Sequence, residues 1–167
     1  SNSDGWDTFI ACDPPDSTGY FSREFPAARV VPQPDADLGE RMAAVFEDAF
    51  SERIERVVAI GSDSPTLPMW IIQKAFEALV MAPAALSPSA DGGIVLAGFN
   101  EAASGLPQAA FRSVEWSTPM VMEQTAGNLY SLGARPVVLP HWYDVDTVDD
   151  LARLRAELSS PHTAPEI

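Results

Sequence analysis

The stretch RVVAIGSDSPTLP, residues 56–68, decides the fold class of this sequence. It opens with Arg56–Ile60, an apolar run without polar alternation, which is typical of a central parallel strand covered on both faces. Asp63 follows this run between two hydroxyls, Ser62 and Ser64. Open α/β sheets bind ligands where strands end, so Asp63 is either a metal or substrate residue or the cap of the next helix.

Predicted strands and helices alternate on both sides of that stretch. Asp37 is followed by Glu40 three residues later, a capping-box pattern that predicts the start of an amphipathic helix. Pro68 suits the first turn of another helix. The predicted strands are 8–12, 28–36, 56–60, 84–89, 94–99 and 135–140, and the later predicted helices are one capped by Ser117 or Thr118 and one within 144–158. This order favours an α/β fold in which helices cover both faces of a sheet, a three-layer α/β/α arrangement.

Length and composition predict one domain. The chain has 167 residues, 46% of them apolar, so we expect a single domain over residues 1–158 and a flexible tail over 159–167. Cys12 is the single cysteine, which excludes an internal disulfide and a thiolate zinc site and fits a reducing cytoplasm. No apolar run approaches the roughly 20 residues of a membrane span, and a cytoplasmic location is therefore expected.

The charge of the chain limits its partners. Ten basic residues against 24 acidic ones give a formal charge of −14, which would repel nucleic-acid backbones and anionic membrane surfaces. We therefore expect neither nucleic acid nor a membrane as a partner. A phosphate-bearing small molecule stays open if magnesium or manganese first neutralises clustered carboxylates, because both ions prefer oxygen ligands.

The segment SADGG, residues 89–93, has two readings. A hairpin turn that needs positive φ uses Asp91 and the two glycines, Gly92 and Gly93, routinely. Alternatively, the glycines let a ligand approach the backbone while Asp91 contacts a sugar or a metal. The local pattern leaves both readings open.

The segment YDVDT, residues 143–147, offers a pair of carboxylates. Asp144 and Asp146 point to one side if the segment is extended, and like charges so close together need a cation or hydrogen-bond donors. The other reading is that Asp146 or Thr147 caps the last helix. Capping and metal binding can involve different members of this segment.

Two cationic or titratable side chains are weaker candidates. Arg41 lies in the first turn of its predicted helix, where the helix dipole disfavours a cation, so the alternatives are an anionic partner and simple exposure to solvent. His141 lies in a predicted loop without an identified partner, and no role is assigned to it.

Five blocks of the sequence carry a family resemblance. They are DADLGERM, IGSDSPTLP, ADGGIVLAGF, VEWSTPMVMEQT and LPHWYDVDTVDDL, which together cover roughly residues 35–151. In this order they closely resemble a bacterial glycosyltransferase-A-like family of unknown function, the selenodomain-associated transferase 1 or DUF2064-like family. That family is similar to nucleotide-diphospho-sugar transferases and to molybdenum-cofactor guanylyltransferases. The resemblance implies a nucleotide-binding α/β sheet and a nucleotide or nucleotide sugar as substrate.

The resemblance also implies roles for individual residues. Asp63 matches the metal-binding aspartate, with Asp146 as a second ligand of magnesium or manganese, and Asp91 joins them as a candidate catalytic residue. The second family signature matches Gly92 and Gly93. The candidate substrate-binding residues are Arg41, Ser62, Ser64, Gly92, Gly93, Trp116, Ser117, Thr118 and Asp144. Ile94 and Val95 stand where the family commonly has an aromatic pair, which speaks against a stacking role there.

The front of the sequence departs from the family pattern. Family members begin with a strand, a loop with small and basic residues that is the expected phosphate cradle, and a helix, whereas this sequence starts at the second strand. We therefore expect an N-terminally incomplete fold with an exposed sheet edge. The alternatives are that this edge pairs with a second copy in a homo-oligomer, that it pairs with another segment, and that the chain is a fragment of a longer folded protein. The leading hypothesis is a metal-dependent glycosyl or nucleotidyl transferase. The alternative is a non-catalytic binding or interaction domain that keeps the scaffold but lacks the phosphate cradle.

Overall fold

The fold was examined in a computed structural model that describes residues 5–159. Its strands are β1 (Phe9–Cys12), β2 (Arg29–Pro32), β3 (Arg56–Ile60), β4 (Ala84–Pro88), β5 (Ile94–Asn100) and β6 (Val137–Val138). Its helices are α1 (Thr18–Glu24), α2 (Leu38–Ser51), α3 (Met69–Ala78), α4 (Leu106–Ala110), α5 (Val121–Ser131) and α6 (Val148–Ser159). Apart from Ser159, which ends α6, the predicted flexible tail lies outside the described residues.

The strands form two sheets. β1 and β2 pair in parallel, with Phe9 opposite Arg29. The other four strands have the order β3-β5-β4-β6, in which β5 is antiparallel to both of its neighbours and β6 is parallel to β4. The predicted hairpin between β4 and β5 is present, and a bulge between Ser87 and Pro88 shifts its register just before the turn.

Helices cover both faces of the four-stranded sheet. One core lies between the sheet and the helices α2, α4 and α5, and it contains Phe46, Phe99 and Leu129, each fully buried. Phe46 and Phe99 pack edge to face with ring centroids 4.9 Å apart. The second core lies under α3, where Ile71 and Leu96 belong to one buried cluster. The predicted three-layer α/β/α arrangement is confirmed.

The prediction that β3 is a central parallel strand was wrong for the described part of the chain. β3 lies at the end of its sheet, and its one strand neighbour there is the antiparallel β5. The faces of β3 explain the error, because Val57 and Ala59 pack against the first core and Val58 against the second. An apolar run reports that both faces of a strand are covered, and it does not report how many strands flank it.

The predicted start of α2 is confirmed, whereas other helix predictions were wrong or missing. The Asp37 carboxylate caps α2 and accepts a hydrogen bond of 2.9 Å from the Glu40 backbone N–H. α5 begins at Val121, later than predicted, although the Thr118 hydroxyl accepts from the Met120 N–H just before it. The short helices α1 and α4 were not predicted, because five to seven residues are too few for a clear helical period. No helix within residues 5–159 is both long and apolar enough to cross a membrane.

Candidate functional site

Three carboxylates meet beside the turn of the β4–β5 hairpin. Asp91 lies in that turn, and Asp144 and Asp146 lie between β6 and α6. One carboxylate oxygen from each residue lies within 4.8 Å of the others. We call these three residues the acid cluster. The fold thus brings together carboxylates that are more than fifty positions apart in the sequence.

The hairpin turn holds Asp91 in place. The Asp91 carboxylate accepts a hydrogen bond of 2.9 Å from the Gly93 N–H, and the Gly92 N–H donates to the Ser89 carbonyl at 3.2 Å. Gly92 has φ +96°, and a β-carbon there would overlap the backbone of Pro119. Asp91 is therefore both a turn residue and a member of the acid cluster. The Pro119 backbone fills the space beside Gly92 that the second reading of SADGG left to a ligand.

Asp144 is positioned by β4. The Trp142 N–H donates to the Pro88 carbonyl at 3.1 Å, and the Ala90 N–H donates to the Trp142 carbonyl at 2.9 Å. This short parallel contact places the buried Ser89 against the carboxylate, and the Ser89 hydroxyl donates to Asp144 Oδ1 at 2.8 Å. A backbone ladder and a buried hydroxyl thus orient the Asp144 side chain.

The Asp146 side chain is not the N-cap of α6. Thr147 caps α6, since the Asp150 N–H donates to the Thr147 hydroxyl at 3.2 Å and the Thr147 N–H donates to the Asp150 carboxylate at 2.9 Å. Desolvation, followed by the charges of Asp144, Asp63 and Asp91, raises the pKa of Asp146 above its usual range. The neighbouring carboxylates therefore repel the ionised form of Asp146.

Asp63 lies next to the acid cluster but is not one of its three members. It follows β3 as predicted, and its carbonyl accepts a hydrogen bond of 2.9 Å from the Val145 N–H, which ties the two loops together. Its charge acts on Asp146, as the pKa of Asp146 shows. Beside it, Ser62 is exposed, whereas Ser64 is buried with a hydroxyl that has no hydrogen-bond partner among residues 5–159.

The remaining candidate residues surround the cluster at varying remove. The loop that carries the exposed Ser117 touches the Asp91 turn, where the Met122 N–H donates to the Gly92 carbonyl at 3.0 Å. Trp116 instead packs on Phe111, with ring centroids 6.0 Å apart. Arg41 pairs with the carboxylate of Asp13, which follows β1. Arg41 thus has an anionic partner, and that partner is internal.

The acid cluster fits a hard divalent cation. Oxygen ligands bind magnesium, manganese or calcium at about 2.0 to 2.6 Å, so ligand oxygens around one ion stand up to roughly 5 Å apart. The separation of 4.8 Å or less between the cluster oxygens lies in this range. All three donors are carboxylates, the type these ions prefer.

Four residues that contact the candidate carboxylates or their loops were not expected from the sequence: Ser89, Thr66, Tyr143 and Glu157. Ser89 precedes the Asp91 turn, and Tyr143 precedes Asp144, so proximity to the candidate carboxylates was the available signal. Glu157 is 14 residues from Tyr143, yet it accepts a hydrogen bond from the Tyr143 hydroxyl at 2.7 Å. No spacing rule for a helix or a strand predicts that contact.

The solved structures that are similar to this chain include the following two. A protein of Desulfovibrio desulfuricans G20, described as a "putative nucleotide-diphospho-sugar transferase", is 33% identical with a TM-score of 0.82, and the match covers 92% of this chain and 68% of that one. A 4-diphosphocytidyl-2C-methyl-D-erythritol synthase is 14% identical with a TM-score of 0.65, and the match covers 95% of this chain and 84% of that one. The second likeness shows the fold alone. No curated protein matches the sequence.

A family model also matches the sequence. It spans residues 1–118, which include the α2 cap, the Asp63 loop, the Asp91 turn and the segment Trp116–Thr118. The match and the Desulfovibrio structure confirm the resemblance drawn from the sequence blocks, and the nucleotide-diphospho-sugar transferase-like fold with it. The chain therefore belongs to the DUF2064 family, described as an uncharacterized protein conserved in bacteria.

Proposed function

We propose that this protein is a metal-assisted transferase that acts on a nucleotide-diphospho-sugar donor. The observation that carries the proposal is the convergence of three carboxylates within 4.8 Å in a chain with this fold. Support comes from the 33% identical Desulfovibrio protein, whose description is that of a nucleotide-diphospho-sugar transferase. A metal is needed because the acids alone would repel a diphosphate.

In this proposal Asp91, Asp144 and Asp146 hold magnesium or manganese, and Asp63 adds negative charge beside them. A bound divalent cation supplies neutralisation of the donor diphosphate and of the charge that develops on the leaving group. Ser89 and the Asp91 turn keep the carboxylates in position through the hydrogen bonds described above.

The exposed hydroxyls beside the acid cluster suit the polar groups of a sugar. Ser62 lies on the Asp63 loop, and Ser117 lies on the loop that touches the Asp91 turn. Ser117 has φ 60°, a left-handed conformation that is costly for a serine. We propose that these two loops contact donor or acceptor hydroxyls.

The experiment is a screen of nucleotides and nucleotide sugars for binding and turnover, with and without Mn²⁺. We expect Mn²⁺-dependent binding of one class of donor and its loss in the variant Asp146→Asn. The control variant is Asp16→Asn, which removes the same charge near α1. Binding of donors unaffected by Mn²⁺ and by Asp146→Asn would contradict the proposal. Binding without turnover would instead favour the non-catalytic alternative.

A further inference from the structure

We infer that Tyr143 and Glu157 are positioning residues, which hold the loop bearing Asp144 and Asp146 in the geometry that binds a cation. This inference rests on the proposed function. It concerns the polar contacts of Tyr143, Glu157, Arg153 and Thr66, which we call the α6 clasp. None of the four is a member of the acid cluster.

The α6 clasp is centred on the buried Tyr143 side chain, which is 2% exposed. The Tyr143 hydroxyl donates to Glu157 at 2.7 Å and accepts from the Thr66 hydroxyl at 3.1 Å. The Arg153 guanidinium lies over the Tyr143 ring, 3.6 Å from its centroid, and also donates to Glu157 at 3.3 Å. One buried ring thus joins α6 to the loop that follows Asp63.

The attachment of α6 depends on these contacts because its packing is poor. No residue of α6 is buried, and Leu151 and Leu158 are each more than half exposed. A helix held by so little apolar surface gains little from the hydrophobic effect. The polar contacts of Tyr143 with Glu157 and Arg153 therefore contribute to the attachment of α6 to the rest of the domain.

The clasp closes a loop around two of the cluster carboxylates. Tyr143 lies at one end of the segment 143–147, and α6 starts at the other end and returns Glu157 to Tyr143. Asp144 and Asp146 lie between Tyr143 and the start of α6. Their mutual repulsion favours opening the segment, so a contact that closes it preorganises the carboxylates for a cation.

The test is Mn²⁺ affinity, measured by calorimetry and by electron paramagnetic resonance on the whole chain. Tyr143→Phe removes the hydroxyl and keeps the ring under Arg153, and Glu157→Met removes both acceptor oxygens and keeps the length of the side chain. Partners that orient metal ligands typically contribute 10–100-fold to affinity. We expect about tenfold weaker Mn²⁺ binding in each variant. Because both act through one hydrogen bond, the double variant should be little weaker than either single one.

Matched controls separate positioning from general damage. Tyr130→Phe changes an exposed tyrosine on α5, and Glu77→Gln removes one negative charge from an exposed position on α3. Both variants should bind Mn²⁺ as the parent does. Near-ultraviolet circular dichroism checks that every variant is folded at the assay temperature. Folded clasp variants with affinities within about twofold of the parent would overturn the inference alone. A parent chain without saturable Mn²⁺ binding would overturn the proposed function, and this inference with it.

Discussion

At the residue scale, the acid cluster places like charges close together at a cost in stability. Asp146 is ionised near Asp144, Asp63 and Asp91, and desolvation together with these charges raises its pKa in the folded protein. The folded protein therefore holds this proton more tightly than the unfolded chain does. By linkage, stability falls as the pH rises from about the ordinary value of 3.8 through the raised pKa, and the penalty is complete above the raised pKa.

The variant Asp146→Asn tests this loss of stability. Without the charge, the metal-free variant should melt a few degrees above the parent near pH 7, because the repulsion is gone. The difference should shrink as the pH falls toward about 3, where the parent carboxylate is protonated as well. Calorimetric melting across this pH range measures it. A metal-free variant that melts below the parent near pH 7 would refute the repulsion argument.

Gly92 is the second residue whose role can be measured. Its φ of +96° and the closeness of the Pro119 backbone leave no room for a β-carbon. We expect Gly92→Ala to lower the free energy of unfolding by about 2 kcal/mol or more, since strain and overpacking add. Gly127 in α5 is the matched control, because nothing lies within 4 Å of its added β-carbon. Gly127→Ala should raise stability by about 0.5–1 kcal/mol through helix propensity. Equal effects in urea unfolding would show that the turn tolerates a side chain.

At the element scale, the start of α6 determines which acid is available for a ligand. Thr147 and Asp150 cap each other reciprocally, and Asp146 is consequently not needed to satisfy the helix terminus. The β4–β5 hairpin has a similar double use. Its turn presents Asp91, and the strand before it presents Ser89 to Asp144. Both elements therefore shape the acid cluster through their own backbone geometry.

Thr147→Ala tests the cap of α6. Loss of an N-cap hydroxyl costs about 1 kcal/mol, which corresponds to an about fivefold larger equilibrium constant for local opening. We expect this loss in the hydrogen-exchange protection of the first α6 amides, with little change in the amides of α2. Thr147→Ser should retain the protection. Unchanged protection of α6 in Thr147→Ala would mean that the cap does not hold this helix.

At the scale of the whole molecule, charge is the dominant property. A formal charge of −14 opposes compaction, and the acid cluster concentrates part of that charge in one place. A cation that binds the folded state alone stabilises it by mass action. The same charge opposes close association of two copies of the chain, so a homo-oligomer through the edge of β3 would need strong backbone pairing.

Thermal melting in salts tests the cation effect. We expect MgCl₂ or MnCl₂ to raise Tm by several degrees more than NaCl at matched ionic strength, because screening acts on all charges whereas the cluster binds divalent ions. A divalent ion at 100 times its Kd would add about 2.7 kcal/mol. The excess should disappear in Asp146→Asn. Equal rises with both salts in the parent chain would show that screening alone is at work.

The sequence by itself determined the local structural features of this protein. The Asp37 cap, the strand Arg56–Ile60, the helix after Pro68 and the turn at Asp91 were all readable, because each depends on residues within a few positions of one another. The five sequence blocks also identified the family, and with it Asp63, Asp91 and Asp146 as candidate site residues, of which Asp63 lies outside the acid cluster. The choice between a capping and a free Asp146 was left open.

Only the tertiary structure decided which carboxylates meet. Asp144 and Asp91 come together because the chain beside Trp142 pairs with the end of β4, and a contact over fifty residues leaves no periodic signal in sequence. The same holds for β3, whose neighbours depend on the sheet, and for the contact of Tyr143 with Glu157. Local patterns report burial and dihedral preference, whereas a site depends on distances that packing alone sets.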